Sequence, residues 1–163
     1  MANSDAPFGL KPAKSPARNV YTNDYPALNT TQILEGDLLE LSADGYVDKA
    51  TTEAGPFIGV AAASDVASPS GSAVRQVAVF DDPDQVFEAQ ADSAVVAQTN
   101  VGERFLAKLD AGNAFLSGHQ VDVTAATSAT QPLLITGFSS DPSNATGSYS
   151  KVMVKILNHS NAS

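Results

Sequence analysis

The sequence predicts an all-β protein, a compact barrel or sandwich with an extended N-terminal arm and little helix, and three observations carry that expectation. Short apolar runs recur at intervals of about 8 to 12 residues between clusters of Gly, Asp, Asn, Pro and Ser, the rhythm of strands joined by turns. No segment sustains an apolar period of 3.6 residues over helical length. The first 28 residues contain Pro7, Gly9, Pro12, Pro16 and Pro26. Each proline removes a backbone donor and disfavours helix in the residue before it.

The chain therefore reads as an arm, residues 1–28, followed by a β domain, residues 29–163. The arm carries Lys11, Lys14 and Arg18 against Asp5 and Asp24, and offers Phe8, Leu10, Val20, Tyr21 and Tyr25 as separate apolar contacts. Fully extended, it would reach up to about 90 Å. Phe8, Leu10, Lys11, Lys14, Arg18, Val20 and Tyr21 are the candidate partner-binding residues. The competing reading folds the arm back over an edge of its own domain, with Val20–Tyr25 as an edge strand.

Within the body, strands are expected over Gln32–Leu34, Leu38–Leu41, Tyr46–Ala50, Phe57–Ala62, Arg75–Phe80, Val86–Gln90, Phe105–Lys108, Gln120–Val123, Leu133–Phe138 and Lys151–Leu157. In the last of these, Val152, Val154 and Ile156 fall on one side and Lys151, Met153 and Lys155 on the other, the alternation of a sheet with one wet face. Leu133–Ile135 and Phe57–Ala63 are more continuously apolar, as buried central strands or subunit-facing strands are. One short helix is expected near Ser93–Thr99. Ser64–Ala73 and Ser139–Ser150, rich in Ser, Gly, Pro and Asn, are expected to be projecting loops.

Charge and composition narrow the function. At 163 residues with a formal net charge of −9, the chain suits one acidic domain. Residues 1–18 hold three basic groups and one acidic, leaving six basic and seventeen acidic for the remainder. Such a body repels nucleic acid and anionic membrane, so neither is an expected partner. There is no cysteine, which removes disulfides and thiolate chemistry. No 18-residue apolar run is present, and residues 1–28 show no basic region followed by an apolar stretch, so synthesis in a cytoplasm is expected.

No catalytic frame is legible. His119, in Gly118-His119-Gln120, and His159 read as turn or surface histidines, and no nucleophile motif or phosphate-cradling loop accompanies them. The densest polar cluster is Asp81-Asp82-Pro83-Asp84 with Glu88 and Asp92. It reads as a solvated turn, with Asp81 or Asp82 capping the reversal before Pro83, in preference to a calcium site, whose alternating Asp/Asn pattern is missing. The expectation is a protein that is not an enzyme, without catalytic residues, cofactor or metal.

Two strings carry a family resemblance. Met-Ala-Asn-Ser-Asp-Ala-Pro-Phe-Gly-Leu-Lys-Pro at residues 1–12 resembles the opening of a family of tailed-bacteriophage virion proteins beginning Met-Ala-Asn-x-Asp-Ala-x-x-Gly-Leu-x-Pro. Val79-Phe80-Asp81-Asp82-Pro83-Asp84-Gln85-Val86-Phe87-Glu88-Ala89-Gln90 is similar to that family's Asp-Asp-Pro-Asp-x-x-Phe-Glu-x-Gln block. Separately, Glu35–Leu41, Gly45–Ala50 and Ile58–Ala61 resemble the β-tulip pattern of lambdoid head decoration proteins.

The resemblance implies a capsid decoration, or cement, protein on the exterior of the virion head. Its implied partners are the major capsid protein and copies of itself, as a trimer in preference to a dimer. Two other classes stay open: a carbohydrate-binding or host-adhesive β module using loops such as Ser139–Ser150, and a tail-tube or connector protein.

Overall fold

The structure is a computed structural model that describes residues 3–13, 20–28, 31–65 and 74–161. Its described strands are β1 (Lys11–Pro12), β2 (Asn23–Leu28), β3 (Leu38–Leu41), β4 (Val47–Lys49), β5 (Gly59–Ala61), β6 (Val74–Phe80), β7 (Val86–Gln90), β8 (Arg104–Asp110), β9 (Gly118–Asp122), β10 (Leu133–Phe138) and β11 (Lys151–Ile156). The protein is all-β, as the turn rhythm predicts.

The strands divide between two bodies. β2-β4-β3-β5-β6 close into a barrel, while β1-β7-β11-β10-β8-β9 form a six-stranded antiparallel sheet. A bridge between Ala91 and Val121 brings the end of β7 against β9, so this sheet curls towards closure. A bulge between Ile135 and Gly137 bends β10, which increases local twist and helps the curl.

Each body has its own core. Ala27, Ile33, Leu39, Val47, Ile58, Ala61, Val77 and Val79 fill the barrel. Phe87, Phe105, Val121, Leu133, Ile135, Val152, Val154 and Ile156 fill the sheet's concave side. The barrel wall belongs to both: on β3, Leu38 faces the sheet core while Leu39 faces the barrel interior, and Val60 and Phe57 likewise join the sheet core. Strand side chains alternate sides, so a wall buried on both faces must be apolar at successive positions. That explains the continuous apolar run at Phe57–Ala61. Leu133–Ile135 differs: Leu134 is half-buried between two buried neighbours, so β10 has a wetter outer face than its composition suggests. β11 shows the expected alternation, with Val152, Val154 and Ile156 buried.

The structure corrects the arm. Residues 23–28 are β2, paired with β6 from Asn23↔Val79 to Leu28↔Val74, and Lys11–Pro12 add to the edge of β7. The described part of the leader is thus built into both bodies of its own chain. Pro26 is tolerated within β2 because its other neighbour, β4, pairs with it in parallel only at Ala27↔Val47. Gln32–Leu34 form no strand; Ile33 makes a single bridge to Asp65. The expected helix is a single 3-10 turn, Gln98–Asn100.

Candidate interaction surface

The leader is fastened by a few specific groups. Asn3 donates from Nδ2 to the carbonyls of Ala145 (2.7 Å) and Ser148 (3.2 Å) and accepts from Ala145 N (3.0 Å). Gln90, buried on β7, accepts from Ala6 N at 3.1 Å and donates to the Ser4 carbonyl at 2.9 Å, mimicking a strand ladder with a side chain. Leu10 N donates to the Gly36 carbonyl at 3.0 Å and Ala13 N to Val86 at 2.9 Å. At Gly9, with φ of 71°, a Cβ would stand 2.6 Å from both the Gly36 oxygen and Ser117 Cβ, so only glycine lets the backbones approach this closely.

That approach carries Leu10 into the core, where it is 1% exposed beside Leu38, Phe57 and Phe87. Leu10, expected to bind a partner, is a core residue of its own chain. The lone leucine among Pro and Gly has no periodicity to reveal a buried face, so burial of the strap was not readable there. Phe8 stays half-buried at the surface with Lys11 Nζ 5.0 Å over its ring, a cation–π contact. Val20 and Tyr21 are exposed, at 38% and 69%. Lys14 and Arg18 lie outside the described residues, as do positions 66–73 of the expected 64–73 loop.

Three segments converge where the strap crosses Gly36: residues 6–10, residues 34–38 before and within β3, and residues 111–119 leading into β9. Glu35 bridges Leu116, and Ser117 N donates to the Glu35 carbonyl at 3.0 Å. Beneath lies a buried polar joint between barrel and sheet. His119, expected in a turn, is fully buried on β9, and its Nδ1 accepts from Leu38 N at 3.0 Å. That acceptor role leaves the proton on Nε2, which faces Asp37 Oδ1 at 3.5 Å. Asp37, also fully buried, accepts from Leu34 N at 2.8 Å through Oδ2, which lies 3.5 Å from Lys49 Nζ.

Burial pushes His119 down to about 4, against the opposing pull of Asp37. Nδ1 is taken by a backbone amide, while Nε2 and Asp37 Oδ1 approach each other at 3.5 Å without a hydrogen-bond partner among the described residues. The joint holds two bodies together. His159 is buried as well, its Nδ1 accepting from Asn161 N at 3.0 Å, and burial lowers its pKa.

The acidic cluster is a capped turn. Asp82 Oδ1 accepts from Asp84 N at 2.8 Å, and Gln85 N donates to the Asp82 carbonyl at 3.0 Å, the Asx geometry expected before Pro83. Asp81 is spent on β2, accepting from Asn23 Nδ2 at 2.9 Å and from the Tyr25 hydroxyl at 2.6 Å; burial, with Asp81 beside it, pushes Tyr25 up. Glu88 accepts from Ser139 Oγ at 2.7 Å. No cluster of three metal-ligating side chains occurs among the described residues.

The 139–150 segment is knitted down as well. Asn144 bridges to Lys151 with both ends of its amide, 2.8 Å each, and Ser150 Oγ donates to Ala145 and Gly147, also 2.8 Å. Lys151, followed by the Ser143 amide and hydroxyl, holds the Asp141 carboxyl well below the usual carboxylate range.

Six large apolar side chains among the described residues also remain outward. Phe115 is 73% exposed and Val95 70%, followed by Tyr21, Val74, Leu41 and Val20. Sequence reasoning missed Phe115 and Val95. The available signal at Phe115 was an aromatic inside Asn113-Ala114-Phe115-Leu116-Ser117-Gly118, a turn context with no strand alternation to bury it. Comparison with protein-family models, characterised proteins and solved structures finds no match to this chain.

Proposed function

We propose that the chain is a capsid decoration protein: a homo-oligomeric β protein that binds the exterior of a bacteriophage head and stabilises the mature lattice by contact with the major capsid protein. The observation that supports this reading most is that the two strings carrying the virion-protein resemblance are one structural unit. Lys11 and Pro12 pair with Glu88 and Phe87, and Ala6 and Ser4 bond Gln90, so the opening motif docks along the Asp-Asp-Pro-Asp-x-x-Phe-Glu-x-Gln block. Residues that resemble a family in two distant places also touch each other.

A ligand that binds only the expanded shell stabilises it by mass action, and many weak contacts in a symmetric oligomer sum to slow release. The described leader cannot be the tether in this mechanism, because Leu10 is spent inside the protein's own core. Contact with the shell falls instead to outward apolar groups such as Tyr21 and Val95. The adhesive alternative loses support where the polar side chains of residues 139–150 bond inward.

A cryo-EM map of the particle that carries this chain tests the reading. Density for both bodies on the outside of the head, at junctions between capsid subunits, is the expected result. A ring within the tail or connector, or absence from the particle, overturns it.

A further inference from the structure

We propose that the Phe115 turn and the cavity beside it form a self-association interface, in which Phe115 of one copy seats in the cavity of a second copy of this chain. The proposal deepens the homo-oligomer reading above and rests on it, though not on the presence of a capsid.

Phe115 is the most exposed large apolar side chain among the described residues, yet its backbone is tightly held. Asn113 Oδ1 accepts from Phe115 N at 2.9 Å and from Leu116 N at 2.8 Å, and Asn113 N donates to the Leu116 carbonyl at 3.0 Å. Ser64 Oγ, from the barrel, donates to the Phe115 carbonyl. An aromatic held in water on an ordered turn loses little backbone entropy when it docks, the property of a binding anchor.

Beside it is a concavity of about 500 Å³ whose lining includes Ala6, Pro7, Phe8 and Leu116 together with the polar Asn113 and Ser117. Its floor is preformed, because the strap is locked against Gly36 and Ser117 at Gly9. No lining residue is ionisable.

Charge selects the occupant. Two copies, each of net charge −9, repel wherever their acidic surfaces meet, so they associate best where both faces are uncharged. Residues 111–118 and 6–10 carry no charged side chain, with Lys11 over the Phe8 ring at their border, and they present an apolar knob beside a largely apolar, uncharged socket on one chain. A basic partner would be drawn to the acidic remainder. With knob and socket both present on every copy, each copy gives one contact and receives one, an arrangement that forms a symmetric dimer or a ring where the rotation between copies closes.

The test is the solution mass of the purified full chain by light scattering across a concentration series. Wild type is expected to be oligomeric, Phe115→Glu and the socket-lip variant Ala6→Glu to weaken association at least tenfold, and Leu41→Glu, exposed on β3, to leave it unchanged. Because the chain has no cysteine, a Phe115→Cys/Ala6→Cys variant provides a second readout. Covalent oligomers on oxidation support the interface, and products closed within single chains refute it. A monomeric wild type, or a folded Phe115→Glu chain of wild-type mass, overturns the proposal. If Phe115→Glu keeps its mass but loses the head, the partner of Phe115 is the capsid protein and the self-association is wrong. If the chain self-associates through Phe115 but never binds heads, the decoration reading fails and this one stands.

Discussion

The strap at residues 3–13 and the turn at residues 111–117 are alike in sequence and opposite in use. Both are irregular and rich in Gly, Ala and Asn or Pro, and both carry a phenylalanine next to a leucine or one residue from it. The strap turns Leu10 into the core and leaves Phe8 at the rim, whereas the turn half-buries Leu116 and leaves Phe115 in water. The difference arises at the backbone. Gly9 permits a close approach that drives the strap inward, while Asn113 bonds two successive amides and holds the turn outward. A lone apolar residue in a loop therefore reports its role through the hydrogen bonds of its neighbours, not through its own hydrophobicity.

The largest effect expected is from removing residues 1–13. The truncated chain loses Leu10, the β1 pairing and the partners of Gln90 and Asn3, and opens the sheet core to water. A loss of about 5 kcal/mol or more is expected, comparable with the whole stability of many domains. Chemical denaturation, or insolubility on expression, checks it. A truncated chain as stable as the parent would show that the strap is as dispensable as the turn, and the contrast would disappear.

Leu10→Ala isolates the same point in one side chain. Burial at 1% with an incompletely collapsible site predicts a loss of roughly 2–4 kcal/mol. Urea midpoints at constant m-value measure it.

The joint beneath both segments makes a pH prediction. The folded-state pKa of His119 is depressed by burial to about 4, below its unfolded value near 6.5, so the unfolded state binds the extra proton first. Stability is therefore full above about pH 6.5 and falls as pH drops towards 4, by on the order of 2–3 kcal/mol. His159, also lowered by burial, acts in the same direction. Asp92, raised by burial, opposes them. Thermal melts between pH 7.5 and 4.5 should show the decline, and His119→Asn, less stable throughout, should flatten it. An unchanged slope in that variant would remove His119 from the account.

How far these features were legible depends on whether a period carried them. β3, β7 and β10 were readable to the residue, and β11 to within one, because alternation or a bounded apolar run marks both ends. The Asp82 cap was readable because an Asp before Pro has a local hydrogen-bonding reason to be there. β1 was not, and β2 was reached only in part, by the alternative that made Val20–Tyr25 an edge strand: prolines mask a strand whose partners on one side are nearly absent. His119 was hidden by its glycine neighbour, which suggests a turn but in fact permits close packing of β9 against Ala111. Leu10 and Phe115, the two residues that define the contrast, had no pattern at all. Their fates are set by Gly36, Ser117 and Ser64, distant in sequence from one or both.

The smallest effect expected is also the sharpest test of the comparison. Phe115→Ser removes a side chain that is 73% exposed, so in dilute solution the folding stability should change by no more than about 0.5 kcal/mol. If the turn presents its aromatic to a second copy, wild type gains stability with concentration because association favours the folded chain. The variant does not. The melting temperatures of the two should coincide at low concentration and separate steadily as it rises, while Leu10→Ala lies below wild type at every concentration. Parallel curves for Phe115→Ser and wild type would mean that the turn, for all its exposure, faces nothing of its own kind.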